Sequence, residues 1–205
     1  MSADKMLFEI KSQYIQVQGT KIHYLEAGET NTQPILFLHG ASFRAQTWQD
    51  LGSLQLVAEK GYRGIALDLP GYGDSEIFSG SREGFLLILI EALNLNLPII
   101  ISPSMSGSYS LPFLANHGQK LRGFVPVAPV GISRYGEQLK GKEVPTLAIW
   151  GSNDRIVPVA QADFLVEILV NAKKLVLKNA GHACYMRATA VFHKHLLDFI
   201  EECCQ

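Results

Sequence analysis

Three kinds of feature are scarce in this 205-residue sequence, and each absence excludes a class of protein. The cysteines are Cys184, Cys203 and Cys204, an odd number with two adjacent, unlike a secreted disulfide framework. Eighteen basic residues stand against nineteen acidic ones, so the net charge of −1 leaves no basic surplus for nucleic acid. The most apolar stretch, 85–101, is broken by polar residues and proline and is shorter than the ~20 residues of a membrane span. We therefore expect a soluble, cytoplasmic protein that binds neither nucleic acid nor membrane.

Targeting, metal and dinucleotide motifs are also missing. The opening MSADKMLFEI lacks the basic and apolar segments of a signal peptide. Neither H-E-x-x-H nor C-x-x-C occurs, and His193 and His195 are two apart, so they do not share a helix face. Gly71-Tyr72-Gly73 lacks the third glycine of a dinucleotide-binding turn. We predict no metal and no required cofactor.

Hydrophobic residues make up 47% of the chain and fall in short runs that alternate with helical patterns. The first two runs flank Gly19-Thr20 with partial period-2 alternation, which predicts an antiparallel hairpin. The later runs are continuously apolar, as in strands covered by helices on both faces, and indicate a mainly parallel, twisted sheet. The chain is expected to form one α/β domain, 1–205. The predicted strands are 14–18, 21–28, 35–40, 64–71, 98–102, 124–128, 146–151 and 174–178, and the predicted helices are 47–60, 82–95, 106–117, 159–170 and one from about 189.

A serine-rich turn follows the predicted strand 98–102 and precedes a helix. A nucleophilic serine needs such a sharp strand-to-helix turn with small neighbours, usually written G-x-S-x-G. Here the pattern is S-x-S-x-S, with Gly107 directly after Ser106. We predict Ser106 as the nucleophile.

Two further residues, Asp154 and His182, each lie just beyond a predicted strand. The chain order Ser106, Asp154, His182 is that of α/β-hydrolases, in which the residues meet at one edge of the sheet. Histidine can take the serine proton and return it to the leaving group, while aspartate orients the imidazole. The three residues together predict a catalytic triad.

An oxyanion hole needs two backbone N–H groups aimed at the developing negative charge. The residue after the nucleophile and the loop after strand 35–40 supply them in this architecture. The predicted donors are the amides of Gly107 and Ala41, with Ser42 as the alternative in the loop. His39, at the start of that loop, is interpreted as a buried structural ring bonded to loop backbone.

The remaining candidate residues have simpler interpretations. Asp68 and Asp74 are interpreted as turn and cap residues rather than substrate contacts. Cys184 is expected to be a buried, inert thiol. Phe43 and Arg44 follow the oxyanion loop and are candidates for the pocket mouth, with Arg44 a candidate contact for a coenzyme A phosphate. The segment 129–145 is too short and too polar for a lid, which predicts an open site suited to small acyl groups.

Six segments together resemble the α/β-hydrolase superfamily and, more narrowly, the soluble B-type members of the abhydrolase-domain-containing protein 14 family. They are HGASFRAQTW, DLPGYGDS, SPSMSGSYSLPF, FVPVAP, GSNDRIVP and AGHACY. The resemblance implies an α/β-hydrolase fold, with Ser106 as catalytic serine, Asp154 as acid and His182 as base.

The same resemblance implies esterase activity on small acyl esters and deacetylation of protein lysine, with coenzyme A as a candidate acetyl acceptor. It also implies a cytosolic and nuclear setting and contact with the transcription machinery. The A-type members carry an N-terminal membrane anchor, and its absence here favours the soluble branch. The alternative function is a non-catalytic protein-interaction module on the same scaffold, because a fold alone does not establish activity. A dehalogenase or epoxide hydrolase would need aspartate in place of Ser106.

Overall fold

An eight-stranded sheet runs through the protein in the order β1-β2-β4-β3-β5-β6-β7-β8. The computed structural model describes residues 7–205, so the first six residues, on which the targeting prediction partly rests, lie outside it. The β1–β2 and β2–β4 pairs are antiparallel and the other five pairs are parallel, which confirms the predicted hairpin and mainly parallel sheet. The strands are β1 (Lys11–Val17), β2 (Thr20–Ala27), β3 (Pro34–Phe37), β4 (Arg63–Leu67), β5 (Ile99–Pro103), β6 (Gly123–Val127), β7 (Thr146–Gly151) and β8 (Ala172–Leu177).

Helices cover both faces of the sheet, as predicted. The central strands are apolar at every position because alternate side chains enter two different cores: Ile100 faces one, and Ile99 and Ile101 face the other. Helices α3 to α6 pack on the first face, and α1, α2 and α8 on the second. The helices are α1 (Gln46–Asp50), α2 (Ser53–Glu59), α3 (Arg82–Ala92), α4 (Gly107–His117), α5 (Ile132–Leu139), α6 (Ala160–Ile168), α7 (Cys184–Arg187) and α8 (Thr189–Cys204).

Two helical segments differ from the sequence prediction. The predicted helix 47–60 is divided into α1 and α2 at Gly52, whose φ of 75° lies in the left-handed region. The segment 129–145, for which no element was predicted, contains α5. Its buried residues Ile132, Tyr135 and Leu139 join the core under α4 and α6, and this packing explains a helix in a polar stretch.

The carboxyl ends of the parallel strands meet at one edge of the sheet. The chain leaves β3 for β4 on one side and then crosses to β5 on the other, so β3 and β5 flank a topological switch point. Ligands of open α/β sheets bind in the crevice outside such a point. In residues 7–205, none of the helices combines the length and hydropathy needed to span a membrane.

Gly151, the last residue of β7, lets two loops at this edge approach closely. A Cβ atom at this position would lie 2.2 Å from the carbonyl oxygen of Gly181 and 2.4 Å from that of Ala180. These atoms are backbone, so they cannot move aside as the end of a flexible side chain would.

We predict that Gly151→Ala lowers the free energy of unfolding by about 1–3 kcal/mol, because the added methyl group overpacks a backbone contact. Chemical denaturation measures the change. Gly84→Ala is the matched control, since its Cβ would meet only the Ser81 hydroxyl, at 3.7 Å, in a helical first turn. Equal stability of the two variants would contradict the prediction.

Candidate active site

Three polar side chains from separate loops form a continuous hydrogen-bonded chain at the carboxyl edge of the sheet. Nε2 of His182 lies 2.7 Å from Oγ of Ser104, and its Nδ1 lies 2.8 Å from Oδ2 of Asp154. In the tautomer that suits both contacts, the Ser104 hydroxyl donates to Nε2 and the Nδ1–H group donates to the carboxylate. This is the arrangement of nucleophile, base and orienting acid in a serine hydrolase triad.

The Asp154 side chain is fully buried behind the imidazole. Its second oxygen, Oδ1, accepts hydrogen bonds from the backbone amides of Ile156 and Val157, at 2.8 and 2.9 Å. Because the carboxylate is held on both oxygens, the loop after β7 fixes the direction in which the imidazole points. Asp154 and His182 therefore meet as the sequence predicts.

Ser106, by contrast, does not contact His182. The predicted contact is corrected, because the serine that contacts His182 is Ser104. The Ser106 side chain is completely buried, and its hydroxyl donates to the carbonyl of Pro103 at 2.8 Å and lies 2.9 Å from the Ser102 hydroxyl. The physical reason is that β5 continues through Pro103, so the first residue after the strand is Ser104. Ser106 instead belongs to a buried network of three serines, in which Ser102 also contacts Ser110 at 2.6 Å.

Ser104 has the strained backbone expected of a nucleophile elbow. Its φ of 51° lies in the left-handed region, where residues other than glycine are uncommon. The amide of Val130 donates to the Ser104 carbonyl at 2.9 Å, which ties the elbow to the loop after β6. Gly107 permits this approach, because a Cβ atom there would lie 2.3 Å from the Val130 oxygen.

The assignment of Gly107 to the oxyanion hole is also corrected. Its N–H donates to the Ser104 carbonyl within the 3₁₀ turn Ser104–Ser106, so it is not free to bind an oxyanion. Met105, and not Gly107, directly follows Ser104 in the chain. Ala41 and Ser42 line the cavity beside Ser104 and His182, so the loop after β3 lies where a second donor is needed.

His39 is the structural ring that the sequence predicts. It is fully buried, with Nδ1 2.8 Å from the Gly40 carbonyl and Nε2 accepting from the Leu69 amide at 3.0 Å. The two contacts require the neutral ring. Burial also lowers the pKa of His39 below its usual value. His39 thereby joins the start of the loop after β3 to the loop after β4.

A second serine–histidine–aspartate chain lies away from the triad, on the hairpin. His23 contacts Ser12 through Nε2 at 2.9 Å and Asp68 through Nδ1 at 2.7 Å. Asp68 also accepts from the amides of Ala45 and Asp74, as the turn role predicted for it requires. Potential ligand atoms of His23, Asp68 and Asp74 lie within 4.8 Å of one another, but a metal would have to replace the His23–Asp68 hydrogen bond.

The remaining candidates have different environments. Cys184 is fully buried, and burial raises the pKa of its thiol to about 12, so it stays protonated and is a poor nucleophile. Phe43 lines the cavity beside Ser104, as predicted for the pocket mouth. Arg44 is exposed and is not among the residues that line this cavity.

Comparison with known proteins gives two groups of relatives. The chain is 40% identical over 202 residues to human ABHD14B, named as a candidate protein-lysine deacylase, with 91% of this chain and 93% of that protein covered. It is 43% identical over 174 residues to zebrafish Protein ABHD14A, and the match covers 82% of this chain and 64% of that protein. The crystal structure of a protein from Thermoplasma acidophilum, named as a predicted CIB-like hydrolase, superposes with a TM-score of 0.90 at 22% identity. The match covers 95% of this chain and 99% of that one. No family model matches the chain.

The neutral state of His39 predicts a pH dependence of stability. Because the pKa is lowered in the folded state, the unfolded chain binds a proton first as the pH falls below the ordinary histidine value of about 6.5. The contribution of His39 to the free energy of unfolding is therefore complete above this pH. Below it, this contribution falls by at most about 1.4 kcal/mol per pH unit.

We expect the free energy of unfolding to fall between pH 7 and pH 5, and to fall less steeply in His39→Asn. Urea denaturation across this range measures both slopes. The two proteins are compared by the slope of the free energy of unfolding against pH and not by its value, because the variant also loses two hydrogen bonds at every pH. His193, whose pKa is likewise lowered by burial, contributes to the slope that remains. Parallel slopes in the two proteins would refute a neutral, buried His39.

Proposed function

Because the chain belongs to the ABHD14 family of α/β-hydrolases, we propose that it removes small acyl groups from esters or amides through an acyl-enzyme on Ser104. The observation that carries the proposal is the unbroken chain of contacts from Ser104 through His182 to Asp154, at 2.7 and 2.8 Å. Its support comes from the strained backbone of Ser104 and the cavity that opens beside the hydroxyl.

In the acylation step, Oγ of Ser104 attacks the carbonyl carbon while its proton passes to Nε2 of His182. The carbonyl oxygen becomes an oxyanion, which the amides of Met105 and of Ala41 or Ser42 would hold. The bond to the leaving group then breaks as that group takes the proton from Nε2. Asp154 stabilises the imidazolium between the two transfers and stays ionised.

Deacylation repeats these steps with water as the nucleophile. His182 takes a proton from water, the oxygen attacks the acyl carbon, and Ser104 leaves with the proton restored. The name of human ABHD14B supports acylated lysine as the substrate class, in which the leaving group is the lysine amine. A thiol such as coenzyme A would accept the acyl group by the same steps, with the thiol proton going to His182.

Covalent labelling with a fluorophosphonate probe tests the nucleophile. We expect wild type and Ser106→Ala to be labelled and Ser104→Ala to be unlabelled, because only the Ser104 hydroxyl is paired with His182 at the strained elbow. Ser12→Ala is a matched control, since Ser12 also contacts a histidine that is bound to an aspartate. Labelling of Ser104→Ala would contradict the proposal by pointing to another nucleophile. No labelling of wild type would also contradict it and would favour a non-catalytic module.

Asp154→Asn tests the acid. We expect turnover of an acetyl ester to fall by about 10⁴, as in other triad enzymes, because the amide no longer selects the productive tautomer or stabilises the imidazolium. Circular dichroism should show the fold retained. Asp163→Asn, an exposed carboxylate on α6, should keep wild-type turnover. Turnover of Asp154→Asn within tenfold of wild type would point to another carboxylate as the partner.

A further inference from the structure

The cavity that touches the triad is small. It has a volume of about 100 Å³, and its walls include Ser104, His182, Phe43 and Tyr185. A larger concavity, of about 530 Å³, borders Ile90 and the residues before β5, at the opposite edge of the sheet from Ser104. The space in which a substrate group meets the Ser104 hydroxyl is therefore the small one.

Its volume limits what can enter. An apolar cavity of roughly 150 Å³ accommodates benzene, a ring of six carbons. By proportion, 100 Å³ accommodates roughly four carbon-sized atoms. A lysine side chain with its attached peptide is far larger, so this cavity cannot enclose the leaving group of an acylated protein. A short acyl chain, which stays bound to Ser104 in the intermediate, fits.

Two aromatic rings close the cavity. Phe43 and Tyr185 meet edge to face, with ring centroids 6.4 Å apart. Tyr185 is 2% exposed and stacks on the buried Trp48 at 5.0 Å, and the Trp48 indole donates to the Leu38 carbonyl at 2.7 Å. This wall is backed by the core on its far side and has little room to move.

Phe43 forms the wall that can be altered. Its side chain is only partly buried and packs over Gly40, where a Cβ atom would lie 3.5 Å from the ring. Replacing the ring removes cavity wall without disturbing the stack behind Tyr185. The Tyr185 wall is thus fixed by the core, whereas the other wall depends on the Phe43 side chain alone.

Resting on the proposed acyl-enzyme at Ser104, we propose that Phe43 and Tyr185 form an acyl pocket that limits the acyl chain to about four carbons. Acetyl to butyryl groups enter between the rings and the oxyanion loop. Longer chains meet the Tyr185 wall and overpack it. The leaving group stays outside, on the open side of His182.

The experiment measures kcat/KM for p-nitrophenyl acetate, butyrate, hexanoate and octanoate. In wild type, we expect activity to fall about tenfold or more from butyrate to hexanoate, the range typical when a methylene exceeds its pocket. In Phe43→Ala, the hexanoate-to-acetate ratio should rise about tenfold or more, with Phe43→Leu in between. The leucine variant also serves if the alanine variant folds poorly.

Phe164→Ala is the matched control, because Phe164 is also half-buried but lies on α6, packed against Gly136. Its chain-length ratio should equal that of wild type. A second series keeps the acetyl group and varies the alcohol from p-nitrophenol to 4-methylumbelliferone and 1-naphthol. Phe43→Ala should leave this second ranking unchanged, since the leaving group lies outside the pocket.

Two results would overturn the pocket assignment while the proposed function stands. One is an unchanged hexanoate-to-acetate ratio in both Phe43 variants with labelling still dependent on Ser104. The other is a Phe43→Ala effect confined to the alcohol series, which would assign the cavity to the leaving group. If wild type is not labelled, or if Ser104→Ala is labelled as wild type is, the acyl-enzyme on Ser104 is refuted and the acyl pocket with it.

Discussion

The left-handed backbone of Ser104 is the constraint on which the candidate site depends. A non-glycine residue in this conformation costs roughly 1–3 kcal/mol, so the surroundings must hold it. The Val130 amide bonds the Ser104 carbonyl from one side, and the buried hydroxyls of Ser102, Ser106 and Ser110 fasten the strand to the helix behind it. Each such bond contributes about 0.5–1.5 kcal/mol, enough in sum to offset the strain. The Ser104 hydroxyl can then project toward His182.

The same elbow explains how serine replaces glycine in its flanking positions. Centred on Ser104, the two positions that are usually glycine are Ser102 and Ser106, and their hydroxyls lie 2.9 Å apart on the buried side of the turn. Each hydroxyl has the other as a hydrogen-bond partner, so neither is an unpaired polar group in the core. The need for a residue without a side chain moves to Gly107, where a Cβ atom would meet backbone and side-chain atoms of the next loop.

Most of the fold and two members of the candidate triad follow from the sequence, because they depend on patterns that repeat along the chain. Apolar runs give the strands, and the first carboxylate after β7 and the first histidine after β8 are Asp154 and His182. The serine does not follow, since alternate serines fit the same local pattern and only the end of β5 distinguishes them. Proline is usually excluded from central strands, which makes Ser102 look like the last strand residue. In fact Pro103 stays in the sheet, in register with Val127, and the turn begins at Ser104.

A hydrogen-bonded serine, histidine and aspartate are not by themselves evidence of catalysis in this protein. The hairpin chain of Ser12, His23 and Asp68 matches the distances of the triad to within a few tenths of an ångström, yet its serine lies on an extended edge strand. What separates Ser104 is its context: a strained turn at the switch point of the sheet, the loop after β3 beside it and a cavity of about 100 Å³ next to its hydroxyl. The candidate site thus depends on the convergence of four loops, each fixed by a different strand of one sheet.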